Sequence, residues 1–337
     1  MRFIFLDWLR IFAFSSVIIG HKFMPELVGA INDPNFHATP KIILFFLYNI
    51  VLGGGTGVVV FFMISGYIIT HVLTQESSIE FLIRRMFRIY PLYIAAVIIE
   101  QMLNNSNGQI IWSNMIGQLL LIGDFLQVPY ALAGVEWTLR IEIIFYLFMA
   151  LKKHIWFTSI EEKWFFIVLF LLVLMFSLLP PFPDAPFLSK NYFFLYVPFL
   201  FIGVGFYLFE KGEISGLLFW SFIVLVFCIY WRGIALYQPN WLSAHFALLG
   251  FILFATSWKF RNYFMGNRLV YFFSNLTYSV YLFHNWLFDY FVRMGSSKFV
   301  ALFMLLVICY LFHKLIEKPA ISFGKRLSVS YPLPSSW

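Results

Sequence analysis

Leu6-Asp7-Trp8-Leu9-Arg10-Ile11-Phe12-Ala13-Phe14-Ser15-Ser16-Val17-Ile18-Ile19-Gly20-His21-Lys22 is the stretch whose reading decides the fold. It is apolar enough to enter a lipid bilayer, yet it carries Asp7, Arg10 and His21. An α-helix turns about 100° and rises ~1.5 Å per residue. Arg10 and His21 therefore lie roughly 16 Å apart along the axis and only about 20° apart around it. Asp7, Phe14 and Ile18 fall near the same stripe. An ionisable group inside a membrane helix is expensive, so it usually faces a polar cavity and marks function. Asp7, Arg10 and Lys22 are also placed to snorkel into the two headgroup layers, a bland reading that suits His21 less well.

Composition places the rest of the chain in the same environment. Of 337 residues, 61% are hydrophobic, 22% aromatic and only 12% charged, which excludes a soluble domain of this size. The net charge of +7 reads as basic cytoplasmic loops and not as a nucleic-acid surface. Cys228 and Cys309 both sit in apolar runs, so free thiols are expected. No small-residue cleavage pattern follows the first run, which is read as retained. The chain reads as a single membrane domain over residues 1–325 with a short cytoplasmic tail at 326–337.

Apolar runs long enough to span recur at 5–23, 44–70, 89–103, 137–151, 164–180, 192–209, 215–231, 241–257, 269–291 and 298–313. A further run, 111–128, is interrupted by Asn114, Gln118, Asp124 and Gln127. Charge decides its status. If it does not cross, Arg84, Arg85, Arg88, Lys152, Lys153, Lys211, Lys259, Arg261, Arg268, Lys314, Lys318, Lys325 and Arg326 all fall on the cytoplasmic side, as the positive-inside tendency asks. If it crosses, most of these invert. The expected fold is thus an all-α integral membrane bundle of ten transmembrane helices, both termini cytoplasmic. Residues 111–128 form a re-entrant or interfacial segment, tolerated at membrane depth where it lines a cavity.

Five motifs carry candidate chemistry. Gly53-Gly54-Gly55-Thr56-Gly57 lacks the GK[ST] of a phosphate loop and suits close helix packing. Ser65-Gly66, amid bulky neighbours, suggests a tight contact with a polar role open for Ser65. In Phe81-Leu82-Ile83-Arg84-Arg85-Met86-Phe87-Arg88, three guanidiniums at a helix mouth suit bidentate phosphate binding, against the ordinary alternative of charge anchoring. In Glu136-Trp137-Thr138-Leu139-Arg140-Ile141-Glu142, Glu136 and Arg140 are spaced to pair, which leaves Glu142 as a buried acid–base or His-orienting candidate. Tyr278-Ser279-Val280-Tyr281-Leu282-Phe283-His284 adds a second intramembrane histidine, equally explicable as a hydrogen-bonded bundle residue.

The ordered set LDWLR…H, FFMISGY, RRMFRIYPLY, WTLRIEIIFY, YSVYLFH and IEKP, over residues 6–319, resembles the membrane acyltransferase 3 family, which acylates bacterial surface carbohydrates. The resemblance implies a multi-pass protein of the bacterial inner membrane. It moves an acyl group, usually acetyl, from cytoplasmic acyl-CoA to a sugar hydroxyl at the outer face. The acceptor is a lipopolysaccharide O-antigen, an exopolysaccharide or a lipid-linked precursor. Carried over by position, Arg10, His21, Arg85, Arg88 and Glu142 match residues of the family's motifs. The mechanism this suggests makes His21 and Glu142 the catalytic candidates and has Arg85 and Arg88 hold the acetyl-CoA donor, with Arg84 and Arg10 as further candidates for that role. Trp137, Tyr281 and His284 are assigned to the substrate, and no metal or nucleic acid is expected. Thr138 stands where the family usually has Ser, Arg140 is an unusual charge, Val59 replaces a frequent Asp, and Asn285 a frequent Pro.

In this reading His21 serves as general base on the acceptor hydroxyl, with Glu142 orienting it or stabilising its imidazolium. An acyl-histidine intermediate is the competing mechanism. The alternative from another class is a proton-coupled secondary transporter of a small polar substrate. No motif repeats between the two halves of the chain, which counts against it.

Overall fold

The computed structural model describes residues 2–35, 37–104, 112–155, 161–184, 190–238 and 245–329. Residue 111 of the interrupted run, residues 241–244 of the eighth run and residues 330–337 of the tail lie outside the described residues. In chain order the helices are α1 (Ile4–Ile18), α2 (Met24–Asn32), α3 (Ala38–Val51), α4 (Gly55–Leu73), α5 (Ser78–Asn104), α6 (Trp112–Leu119), α7 (Glu136–Ile155) and α8 (Glu162–Phe176). There follow α9 (Tyr192–Glu210), α10 (Gly216–Tyr237), α11 (His245–Lys259), α12 (Arg268–Phe283), α13 (Trp286–Arg293), α14 (Lys298–Phe312) and α15 (Lys318–Val329). Among the described residues there is no strand.

Among the described residues five helical stretches are long and apolar enough to cross a membrane: Ile4–Asn32, Ala38–Leu73, Tyr192–Glu210, Gly216–Tyr237 and Lys298–Ser328. α5 and α7 are of similar length but carry the charged motifs. α4 and α9 form the centre, and glycine lets them touch. A Cβ on Gly66 would lie 1.9 Å from the Leu200 carbonyl oxygen, and one on Gly203 would lie 2.2 Å from that of Met63. Small residues at such crossings bring backbones together where no water drives helices into contact. Gly57 does the same toward α1, its Cβ position 2.4 Å from Ala13 O. The packing role expected of the glycine run and of Gly66 is therefore what these residues do. At the rim, α14 turns Phe299 and Phe303 outward, 78% and 68% exposed, a face suited to lipid.

The helices break where the site is built. The run 44–70 is not one helix. It bends at Gly53 and Gly54, whose φ of 55° and 72° favour glycine over any L side chain. The run 269–291 also breaks, between Phe283 and Trp286. α1 passes into α2 through a π-turn at Ile19–Phe23 that contains His21. Such turns are frequent at functional sites. In the run 111–128, α6 has eight residues and spans about 12 Å, well short of the ~30 Å hydrocarbon core. Turns follow it, with positive φ at Leu121, Gln127 and Ala133.

Candidate active site

α1, α4, α5, α7 and α12 enclose a cavity of about 920 Å³, counted out to its mouth, and three arginines reach it. Arg10 comes from α1, and Arg85 and Arg88 from α5. Arg10 is steadied by Asp7 at 3.2 Å. Asp7 is fully buried and also accepts from Arg2 Nε and Ser274 Oγ, each at 2.6 Å. Arg85 stacks over Phe81 at 5.4 Å and Tyr146 at 6.0 Å, and its buried Nε–H has no partner among the described residues. Arg84 is different. It pairs with Glu76 at 2.6 Å and Glu80 at 2.5 Å and donates to Ser328 Oγ at 3.0 Å, away from the cavity. Of the four arginines expected to hold the donor, three line this space and the fourth ties α5 to α15.

Glu142 faces the same cavity from α7. Its Oε1 accepts from Ser65 Oγ at 3.1 Å and from the Tyr146 hydroxyl. Ser65 therefore has the polar role that its sequence context left open. The structure does not bring Glu142 to His21, so the expectation that it orients that imidazole is corrected. Glu142 belongs with the arginines.

A second cavity, of about 670 Å³, meets the first at Val17, Val58 and Tyr281, which line both. His21, Trp137, Tyr196, Gln238, His284 and Asn285 line it. His21 Nδ1 lies 3.0 Å from His284 Nε2, with the rings stacked at 5.2 Å. His284 Nδ1 lies 2.6 Å from the Tyr281 carbonyl oxygen. The other edge of His21 faces the glycine bend, where a Cβ on Gly54 would be 3.4 Å from Nε2. Trp137 packs on Phe62, Tyr192 and Tyr196 to make an aromatic wall. The Tyr281 hydroxyl lies 2.6 Å from Thr138 Oγ1. Trp137, Tyr281 and His284 thus all reach the chamber that holds His21.

The turns after α6 form one wall of this chamber through Ala133, Gly134 and Val135. Arg140 holds them, and not by pairing with Glu136. Its guanidinium bonds Leu121 O at 2.6 Å, Tyr192 hydroxyl at 3.0 Å and the buried carboxylate of Asp124. Glu136 instead accepts from the Leu132 backbone N–H at 2.6 Å, capping the turn before its own helix. The charge at position 140 therefore has its partner within the same chain. Asn285 is also engaged. It accepts from Lys22 Nζ at 2.7 Å and donates to Ala133 O at 2.7 Å, so it fastens the His21 turn to the same wall. Lys22 also meets Asp289 at 2.7 Å. Among the described residues no group of three His, Cys, Asp or Glu side chains is placed to hold a metal.

An all-helical membrane fold, with an arginine cavity joined to a histidine chamber, sets the class of protein. The chain belongs to the acyltransferase 3 family, whose profile, described as an acyltransferase domain, matches residues 3–314. It is also similar to the acyltransferase MdmB of Streptomyces mycarofaciens, at 33% identity over 111 residues. That stretch covers 30% of this chain and 29% of the relative. No solved structure matches the chain.

Proposed function

We propose that this protein is an O-acyltransferase of the bacterial inner membrane that moves an acyl group, acetyl in the first instance, from cytoplasmic acyl-CoA to a sugar hydroxyl of a surface or lipid-linked glycan. In this reading the bundle has ten spans with both termini in the cytoplasm. The arginine cavity opens inward and the histidine chamber outward. The observation that carries the reading is the unpartnered Arg85 Nε beside Arg88 and Arg10, in a cavity that meets the His21 chamber at Val17, Val58 and Tyr281. Buried donors without acceptors are costly, and a polyanionic ligand relieves them. The CoA phosphates bind at the arginines and the pantetheine arm threads the waist. Glu142, held by Ser65 and Tyr146, lies along that arm.

At the far end His21 takes the proton of the acceptor hydroxyl as that oxygen attacks the thioester carbonyl carbon. The C–O bond forms, the C–S bond breaks, and the leaving CoA thiolate recovers the proton from the imidazolium. Trp137 and Tyr196 offer faces to a sugar ring, and Gln238 Oε1, which has no partner among the described residues, accepts from one of its hydroxyls. The test supplies radiolabelled acetyl-CoA to the cytoplasmic face of membranes carrying the host glycan. Label should enter the glycan with wild-type protein and not with His21→Ala. No transfer across a range of glycans would favour a transporter. Label that stays on wild-type protein under gentle denaturation, and vanishes in His21→Ala, would favour an acyl-histidine.

A further inference from the structure

His284 reaches His21 only because α12 stops. The helix ends at Phe283 and the chain turns through His284 and Asn285 into α13. The last carbonyls of a helix have no partner along the chain and must find one elsewhere. Two side chains just beyond supply it here. Trp286 Nε1–H donates to Leu282 O at 3.2 Å, and His284 Nδ1 lies 2.6 Å from Tyr281 O. A carbonyl oxygen only accepts, so His284 Nδ1 must carry the proton.

The rest follows from proton counting. A neutral imidazole has one N–H and one bare nitrogen. With Nδ1 protonated, His284 Nε2 is an acceptor. It faces His21 Nδ1 at 3.0 Å, and two bare nitrogens at that distance would repel, so His21 Nδ1 carries the proton of the shared bond. His21 Nε2 is then bare in the neutral pair, because the 2.6 Å bond to Tyr281 O is the better formed and fixes the chain of protons. The Gly53 carbonyl at the glycine bend accepts from His21 once Nε2 has gained a proton. Gly53 lines the chamber beside this nitrogen. We infer that His284, clamped by the free carbonyl of Tyr281, is a positioning residue that sets the tautomer of His21 and makes Nε2 its proton-accepting atom.

This rests on the acyl-transfer reading for its purpose but not for its geometry. His284 moves from the substrate role suggested by sequence to the place that a carboxylate holds in a Ser-His-Asp triad. The difference is that the backbone carbonyl at a helix C-terminus supplies the electronegative end. During transfer His21 Nε2 gains the acceptor proton. The resulting charge is shared with His284 through the Nδ1–H bond, while His284 stays neutral and keeps its own proton on Tyr281 O. When the thiolate departs, the same Nε2 proton returns to it, so the pair ends as it began.

The test has two arms on the full-length protein in detergent or lipid. In the first, ¹⁵N-histidine spectra at mildly alkaline pH assign the protonated nitrogens, with His21→Gln and His284→Gln used to identify each signal. The expected result is Nδ1–H for both residues. An Nε2–H form of His21 overturns the inference, whatever the protein does with acyl-CoA. In the second arm, His284→Leu is expected to lower kcat on the order of 10²-fold with the acyl-CoA KM unchanged. His284→Gln, whose amide oxygen accepts from His21 Nδ1–H, should restore a measurable part and shift the pH profile of kcat/KM. Equal activity of His284→Leu and wild type overturns it. If the tautomers are as assigned but wild type transfers no acyl group, the functional reading fails while the positioning stands.

Discussion

The two cavities differ in how their polar groups are satisfied. In the arginine cavity a donor is left over: Arg85 Nε has no partner among the described residues, and the carboxylate that faces the cavity, Glu142, is occupied by Ser65 and Tyr146. In the histidine chamber, three of the four ring nitrogens of His21 and His284 are engaged with each other or with Tyr281 O. A site left hungry for acceptors is built to bind an anion. A site with one nitrogen left to take a proton is built to move one. The waist of Val17, Val58 and Tyr281 keeps the two apart, so damage to each should read out differently.

The largest effect is expected at the proton-accepting nitrogen. His21→Ala should lower kcat by about 10²–10⁴-fold and leave acyl-CoA affinity unchanged, as read by transfer assays beside equilibrium binding. Next comes the buried pair that holds the chamber wall. Arg140→Met leaves Asp124 buried without its cation, which is expected to cost about 3–5 kcal/mol. Thermal unfolding should show the loss, and Arg140→Met with Asp124→Leu should recover much of it. Arg85→Ala should raise the acyl-CoA KM with little change in kcat, by the roughly 1.5–3 kcal/mol of a charged hydrogen bond, or about ten- to over a hundredfold. Arg85→Lys should return only part, since an ammonium lacks the planar fork. Smallest is Arg84→Ala. Its pairs with Glu76 and Glu80 are partly exposed and worth about 0–1 kcal/mol, so KM should stay at the wild-type value.

The sequence shows these regions unequally. The stripe of α1 was legible, because helical spacing alone puts Arg10, Phe14 and His21 toward one side, and all three line the cavities. The glycine contacts were legible too, since only a backbone crossing uses small residues at 57 and 66 amid Phe, Val and Ile. The sorting of the arginines was half visible. Glu80 stands four residues before Arg84, the spacing of a helical ion pair, and nothing comparable precedes Arg85. The His21–His284 bond joins residues 263 apart, and it depends on where α12 breaks and how α1 packs on it, which no local pattern encodes. Arg140 was misassigned for a related reason. The i,i+4 rule pointed to Glu136, but a buried guanidinium takes the fullest set of acceptors in reach. Asp124, Leu121 O and Tyr192 lie on turns and on α9, which helical periodicity does not place.

The central claim is that the donor's arm passes from the arginines to His21 through the waist, and a thiol placed there tests it. Val58→Cys, in a Cys228→Ser background that keeps only the buried Cys309, is titrated with a small thiol reagent. Acetyl-CoA should protect Cys introduced at position 58, because its pantetheine arm fills the waist. 3′-Phosphoadenosine 5′-diphosphate, the nucleotide half alone, should occupy the arginines and leave the thiol reactive. Equal protection by the two, or protection by neither, would contradict the account.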